Sequence, residues 1–226
     1  MGNCDGKCGH CGFAKRMCMF PEDGSKPEVC TTVNFAETLE KAAQEYQEPE
    51  MKKFAAAASR QERACYETIP GRPGVTIPLK PRLVEIMEFC QRMGYQHIGL
   101  AFCGGLHSEG MAVTAIFESN GFKVTSVMCK IGAKDKSWLG LTDEDKIVES
   151  GHETMCNPIG QAMVLNAAKT DFNVVLGLCV GHDSMFFKYA EAPTTVLVAK
   201  DRLLGHNPLA AVYAGNTYYR YLNKNK

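Results

Sequence analysis

The chain has no excess charge of either sign: 25 Lys and Arg stand against 25 Asp and Glu in 226 residues. Without a basic field nothing draws in a phosphate backbone, so nucleic acid is not expected as a partner. No apolar run approaches the ~18 residues that span a bilayer, and no membrane partner is expected either. The opening residues, Met-Gly-Asn-Cys-Asp-Gly-Lys-Cys, lack the apolar stretch of a secretory signal. Gly6 stands where an N-myristoylation motif requires Ser or Thr. Together these absences predict a cytoplasmic protein. No G-x-G-x-x-G follows a strand-like run, which argues against a dinucleotide-binding enzyme with incidental cysteines.

What the chain has in excess is cysteine: eleven residues, an odd number, in a protein with 45% hydrophobic composition that can build its own core. A disulfide scaffold is therefore disfavoured, and in a reducing compartment such a surplus points to metal ligation or thiol chemistry.

Three regions are predicted. Residues 1–34 hold Cys4, Cys8, Cys11, Cys18 and Cys30 among Gly, Pro, Lys and Asp, with almost no apolar periodicity. Such a segment cannot bury enough surface to hold itself, and a metal is the economical substitute. Residues 35–79 read as helix, broken near Pro49 and resumed from about Glu50 to Tyr66, followed by a Pro/Gly connector from Ile69. Residues 80–226 read as an α/β domain. A helix carries Leu83, Ile86, Met87, Cys90 and Met93 and closes at Gly94. Strands are then predicted at His97–Phe102, Phe122–Met128, Phe172–Leu178 and Thr194–Ala199. Helices alternate with them at about Leu106–Asn120, Asn157–Lys169, Gly181–Ala190 and Asn207–Leu222. That rhythm implies a Rossmann-like parallel sheet with flanking helices and right-handed crossovers.

Two cysteine constellations carry chemistry. Cys103, Cys129 and Cys179 each follow the last apolar residue of a predicted strand, and Cys156 precedes the Asn157-Pro158 helix start. Their gaps of 26, 27 and 23 residues are each about one strand-helix unit. Open α/β sheets bind ligands outside the carboxyl ends of their strands, so the four thiols are expected to converge there. One such Cys alone is more often a small buried residue; the set carries the argument. Zinc with ~2.3 Å bonds needs its sulfurs within about 3.8 Å of one another. Strand tips ~4.8 Å apart suit a larger cluster better, and a Cys-ligated iron–sulfur cluster of the 4Fe-4S type is favoured over zinc.

Around that edge, Gly104, Gly105 and Gly181 allow close backbone approach. Lys130, His182 and Asp183 follow cluster cysteines, and His107 and Glu109 lie one turn into the first crossover helix. Lys130, His107, His182 and Asp183 are the candidate catalytic residues, placed to relay protons or tune the centre; each is otherwise a helix cap or solvated polar group.

At the N-terminus Cys8, Cys11, Cys18 and Cys30 offer a second ligand set, opened by a two-residue spacer that suits one ion or cluster corner. A redox pair at Cys8 and Cys11 is the alternative there, and zinc is the alternative metal. The spacing Cys4-x3-Cys8-x2-Cys11 also mimics radical-SAM enzymes, but the chain is too short for their barrel. Cys90 reads as packing and Cys65 is left unassigned.

The stretches Ile98-Gly-Leu-Ala-Phe-Cys103-Gly-Gly-Leu, Met155-Cys-Asn-Pro-Ile-Gly-Gln-Ala162, Gly177-Leu-Cys-Val-Gly-His-Asp183 and Lys200-Asp-Arg-Leu-Leu-Gly-His-Asn-Pro208 give the chain its most distinctive motifs. In these the chain resembles an uncharacterised family of Cys-rich proteins from anaerobic microbes, regarded as metal-binding and known as a domain of unknown function. The resemblance implies metal binding and an anaerobic setting, and supplies no reaction. The family's Cys-x2-Cys start looks like Cys8 and Cys11, with Cys18 and Cys30 following and Cys4 a departure.

Two functions are carried forward. The first is an iron–sulfur protein with one or two clusters. Four Cys ligands at the sheet edge would suit electron transfer to a partner protein. An iron lacking a Cys ligand would suit reductive chemistry on a small molecule, with His182 and Asp183 handling protons. The second is a zinc-binding regulatory or interaction protein without turnover.

Overall fold

A computed structural model describes residues 6–224 of the chain; Cys4 lies outside the described residues. The chain divides into two compact units, residues 1–64 and 65–226.

In the first unit, a 3-10 turn at Cys8–His10 leads into a narrow loop, where Met17 N donates to Ser25 O at 3.0 Å and Ser25 N to Lys15 O at 2.9 Å. Gly24 is required in that loop, because a Cβ there would lie 2.5 Å from the Met17 backbone. Helices α1 (Thr31–Asn34), α2 (Ala36–Glu45) and α3 (Pro49–Ala64) follow. Pro49 opens α3 rather than breaking a helix, since its missing N–H costs nothing in the first turn. No residue from 6 to 34 is buried.

The second unit opens on a small antiparallel hairpin of β1 (Tyr66–Thr68) and β2 (Thr76–Pro78), where the sequence reads as a bare connector. Gly71 and Gly74, at φ of +76° and +80°, make its turn. Both strands are exposed throughout and so carry no apolar alternation to read. Helix α4 (Arg82–Met93) buries Ile86, Met87, Phe89, Cys90 and Met93, and Gly94 caps it at φ +77°.

Strands β3 (His97–Phe102) and β4 (Lys123–Met128) come next, separated by α5 (His107–Ser119). Then follow α6 (Pro158–Ala167), β5 (Phe172–Leu176), α7 (His182–Tyr189), β6 (Thr194–Val198) and α8 (Leu209–Tyr213). The four long strands form one parallel sheet in the order β4-β3-β5-β6. Every residue of the two central strands is buried, as strands covered on both faces require. Edge strand β6 is covered in part by Arg82, which donates to Val196 O at 2.6 Å and to Thr195 Oγ1 at 2.9 Å.

Two elements end earlier than their sequence suggests. Strand β5 stops at Leu176, because Gly177 turns the chain at φ +65° with the Leu106 side chain where a Cβ would stand. Helix α8 covers only five residues of the expected 207–222, with Gly215 and Asn216 following and Val212 and Tyr213 left exposed. Without a face to bury, so short a helix does not propagate. Among the described residues no helix is long and apolar enough to cross a membrane.

The centre of the sheet is tightly fitted. A Cβ on Gly99 would lie 2.2 Å from Asn173 Oδ1 and 2.8 Å from Leu165 Cδ1. Asn173 is fully buried, and its Oδ1 accepts from Thr170 Oγ1 at 2.8 Å. Gly99→Ala is expected to destabilise the protein by about 1–3 kcal/mol through overpacking. Urea denaturation followed by circular dichroism measures this, and an unchanged midpoint would mean that the strand moves aside without strain.

Candidate functional site

The carboxyl ends of β3 and β4 deliver Cys103 and Cys129, and the return of the chain to α6 delivers Cys156. One backbone hydrogen bond brings the last two together: Asn157 N donates to Cys129 O at 2.7 Å. The Asn157 side chain caps α6 by accepting from Gly160 N at 2.8 Å and donates to Ile131 O at 3.3 Å. The intervening residues, 130–155, fold back on themselves. Met155 N donates to Lys134 O at 2.8 Å, and the cations of Lys136 and Lys146 pair with Glu153, Asp143 and Asp135. Residues 130–155 thus form a closed excursion that returns Cys156 to Cys129.

The Cys129 and Cys156 sulfurs lie 3.8 Å apart, and Cys129 is also hydrogen-bonded to Cys103. The three form a row with Cys129 in the middle, embedded in a cluster that includes Ala101, Val127, Leu165, Val175 and Phe186. Gly104 N donates to Cys129 Sγ at 3.3 Å, and the Gly105 amide donates to Cys103. The glycine pair therefore acts through its amides, which face sulfur.

Proton sharing sets the charge of the row. The Cys156 thiol is drawn down to about 4, first by its hydrogen bond with Cys129, then by His182, with Lys130 adding to the field and burial opposing. Cys103 falls to about 5, first through its bond with Cys129, against burial, and with help from the Gly105 amide and Lys200. Cys129 moves the other way, because it keeps the proton that its two neighbours share. His182, bonded to the Cys156 sulfur, is raised by that contact. The row thus holds two thiolates and one thiol, flanked by cations.

Cys179 is not part of the row. It lies three residues beyond the end of β5 rather than directly after it, and its sulfur accepts from the Arg202 guanidinium at 3.0 Å. The Gly177 turn causes the offset. Of the other expected residues, Lys130 donates to Thr154 O while its charge acts on Cys156. Asp183 accepts from Ser184 N at 2.8 Å, within its own turn. His107 is exposed and packs its ring at 6.1 Å from that of Phe102, with no sulfur contact. His152, beside Asp135, and His206, accepting from Asp201 N at 3.1 Å, serve their own loops. Cys90 is a core thiol, pushed up to about 12 by burial.

Three residues that hold the site carry no functional assignment from sequence. Lys200 and Arg202 follow β6, and extending the strand-tip argument to the fourth strand would have found them. Gln161 has no comparable signal, because it lies on the apolar face of α6. Fully buried, it donates to Phe102 O at 3.2 Å and Val127 O at 2.6 Å.

In the first unit Cys8, Cys11, Cys18 and Cys30 all line one cavity of about 390 Å³. Cys8 Sγ contacts Thr31 Oγ1 at 3.0 Å, and Cys11 N donates to Cys8 O at 3.1 Å. Among the described residues, no three Cys, His, Asp or Glu side chains are gathered closely enough to hold one metal ion.

The family described as "Protein of unknown function (DUF1847)" matches residues 30–197. The chain belongs to this family. It is also 39% identical, over 207 residues, to an uncharacterized protein of Methanocaldococcus jannaschii, covering 92% of this chain and 93% of that protein. No solved structure matches. The family match takes in Cys30 and the whole sulfur row and leaves Cys8, Cys11 and Cys18 outside it.

Metal-free protein gives a direct check of the row's charge. A thiol held at about 4 is fully ionised from pH 6 to 8, so alkylation of half-exposed Cys156 by iodoacetamide is expected to stay flat over that range. Its rate should drop only as pH falls towards 4 and the thiolate takes up a proton. An ordinary thiol, with a pKa of ~8.5, instead gains about tenfold per unit below its pKa. A tenfold climb per unit at Cys156, read by peptide mass spectrometry, would refute the shared-proton arrangement.

Proposed function

We propose that this protein is a metal–thiolate protein of the iron–sulfur class, with its principal centre on the sulfur row at the sheet edge. The observation that carries the reading is the row itself: two thiolates and a thiol inside an apolar cluster, faced by two backbone amides and by cationic side chains. Burying unpaired anionic sulfur is costly, and an alanine or valine would fill the same volume without that cost. Sulfur kept there in its ligand-ready form fits a soft metal. The strand order reverses direction between β3 and β5, the point where a Rossmann-like sheet opens its ligand crevice.

The donor set fits a cluster of the 4Fe-4S type better than a single ion, because the sulfurs form a row rather than surround one point. Cys103, Cys129 and Cys156 would hold it, and Gly104 and Gly105 would donate to its sulfurs. Such a group supplies one-electron redox chemistry when bound. The chain's own contribution is to orient the thiolates and hold a proton at His182 beside Cys156. We read Cys8, Cys11, Cys18 and Cys30 as a second metal site, in a segment without one buried residue of its own.

One observation favours zinc as the second reading. The 3.8 Å between Cys129 and Cys156 equals the edge of a zinc–sulfur tetrahedron built on ~2.3 Å bonds, and His182 beside Cys156 would supply a nitrogen. In that case the site would be a structural anchor for a regulatory or interaction surface, without turnover.

Anaerobic purification followed by iron, zinc and acid-labile sulfide analysis decides between them. Iron with sulfide and absorbance near 400 nm is expected, with Cys103→Ala removing the sheet-edge complement and Cys11→Ala the N-terminal one. Colourless protein with stoichiometric zinc would reject the iron–sulfur class. Loss of both complements in either variant would mean a single shared site.

A further inference from the structure

The three sulfurs of the row differ in their access to solvent. Cys103 is 8% exposed and Cys129 2%, whereas Cys156 is half-buried and reaches solvent. The Cys156 sulfur lies 3.8 Å from that of Cys129, so a reagent arriving at Cys156 finds a second sulfur in contact behind it. His182, on the first turn of α7, is hydrogen-bonded to the same Cys156 sulfur. Elsewhere an accessible sulfur meets oxygen or nitrogen instead: Cys8 contacts Thr31 Oγ1 at 3.0 Å, and Cys179 accepts from Arg202 at 3.0 Å.

The backbone around the pair is already closed. Asn157 N donates to Cys129 O at 2.7 Å and Met155 N to Lys134 O at 2.8 Å, so the residues on both sides of Cys156 are pinned to the segment that follows β4. A disulfide bond of ~2.05 Å would need the two sulfurs to approach by about 1.8 Å, a shift within the reach of side-chain rotation. The loop that such a bond would close, residues 130–155, is one that the fold closes by itself.

We propose that Cys156 and Cys129 form a redox-active dithiol pair that reduces small disulfide compounds, with Cys156 as the attacking sulfur and Cys129 as the resolving one. Cys156 Sγ attacks one sulfur of the substrate and the substrate's S–S bond breaks. Its first thiol leaves, while the other half stays on Cys156 as a mixed disulfide. Cys129 Sγ then attacks Cys156 Sγ, the mixed disulfide breaks, and the second substrate thiol leaves. The protein's two thiols are oxidised to one disulfide, and the two substrate thiols gain both electrons and both protons. His182 is placed at the Cys156 sulfur to hand over the first proton. A half-buried sulfur packed against an apolar cluster admits a small disulfide more readily than one held in a folded protein. This activity does not rest on the metal–thiolate reading, but it draws on the same sulfurs, so a metal held by them and the disulfide exclude one another.

The test uses full-length protein, purified anaerobically and assayed for iron and zinc. It is treated with hydroxyethyl disulfide both as purified and after chelation, phosphine reduction and desalting. Remaining thiols are blocked with iodoacetamide, and tryptic peptides are read by mass spectrometry. Cys129 and Cys156 fall in separate tryptic peptides, 124–130 and 147–169, each with one cysteine. Chelated, reduced wild type is expected to give these two peptides joined, with no mercaptoethanol adduct left on Cys156. Cys129→Ser is expected to trap that adduct on Cys156, Cys156→Ser to leave Cys129 free, and Cys103→Ser still to form the joined pair. Circular dichroism checks that each variant folds, and the wild-type peptides alone test the linkage where one does not.

A persistent adduct on wild-type Cys156, an unreacted Cys156, or a linkage of Cys129 to Cys103 instead would overturn the proposal. A linkage that forms only once the chelator has removed a bound metal would uphold both readings. Protein purified without metal that forms the linkage directly would uphold this one and remove the metal–thiolate reading.

Discussion

The two strand ends that carry the site are fastened to one helix by a single side-chain amide. Gln161 Nε2 donates to the carbonyls of Phe102 and Val127, the residues one and two positions before Cys103 and Cys129. Phe102 O also accepts from Cys129 N at 2.9 Å, so the amide adds a second bond at the rung where β3 and β4 end. The clamp therefore fixes the separation and tilt of the two tips. The same helix begins with Asn157, whose backbone N–H holds Cys129 O, so Cys156 is brought into register by the element that positions the other two. Three cysteines far apart in the chain meet because α6 is bonded to both strands.

Burial gives these sulfurs a different chemistry from that of an ordinary core cysteine. Cys90 is fully buried, and desolvation, with the Asp171 charge adding to it, pushes its thiol up to about 12. Cys103 and Cys156 pack against apolar side chains too, yet both fall, first because each shares the proton of Cys129, and then because the Gly105 amide and Lys200 act on Cys103, and His182 and Lys130 on Cys156. The residue type is the same in each case. What differs is whether hydrogen-bond donors accompany it into the core, and that is set by the strand-to-helix turns in which Cys103 and Cys129 lie.

Much of the frame was legible in the amino acids. The run Ile98–Phe102 carries no polar side chain and His97–Phe102 becomes a central strand over the expected residues, and Gly94 and Asn157-Pro158 cap their helices as their chemistry dictates. The convergence of Cys103, Cys129 and Cys156 followed from the spacing of strand tips. What was not legible depends on tertiary fit. That β5 ends two residues early follows from the Leu106 side chain lying where a Gly177 Cβ would stand, a contact between residues 71 positions apart. The hairpin of β1 and β2 is exposed on all sides, so no periodicity marks it. Gln161 was hidden because a fully buried amide on an apolar helix face looks, in sequence, like an interruption of that face.

On the proposed reading, the two cysteine groups differ in what must come first, fold or metal. At the sheet edge the thiols are positioned by elements that bury their own core, so on that reading metal affinity there draws on preorganisation. Residues 6–34 have no buried side chain, and their backbone bonds are mostly those of short turns, with Lys7 N to Val29 O at 3.2 Å joining the two ends of the segment. The four sulfurs lining that cavity are held by little else. On the proposed reading, metal binding there is in large part the folding of the segment itself, so its apparent affinity carries the ordering of that chain. One protein would thus contain both a prebuilt site, suited to chemistry at a fixed geometry, and a site whose structure is conditional on its metal.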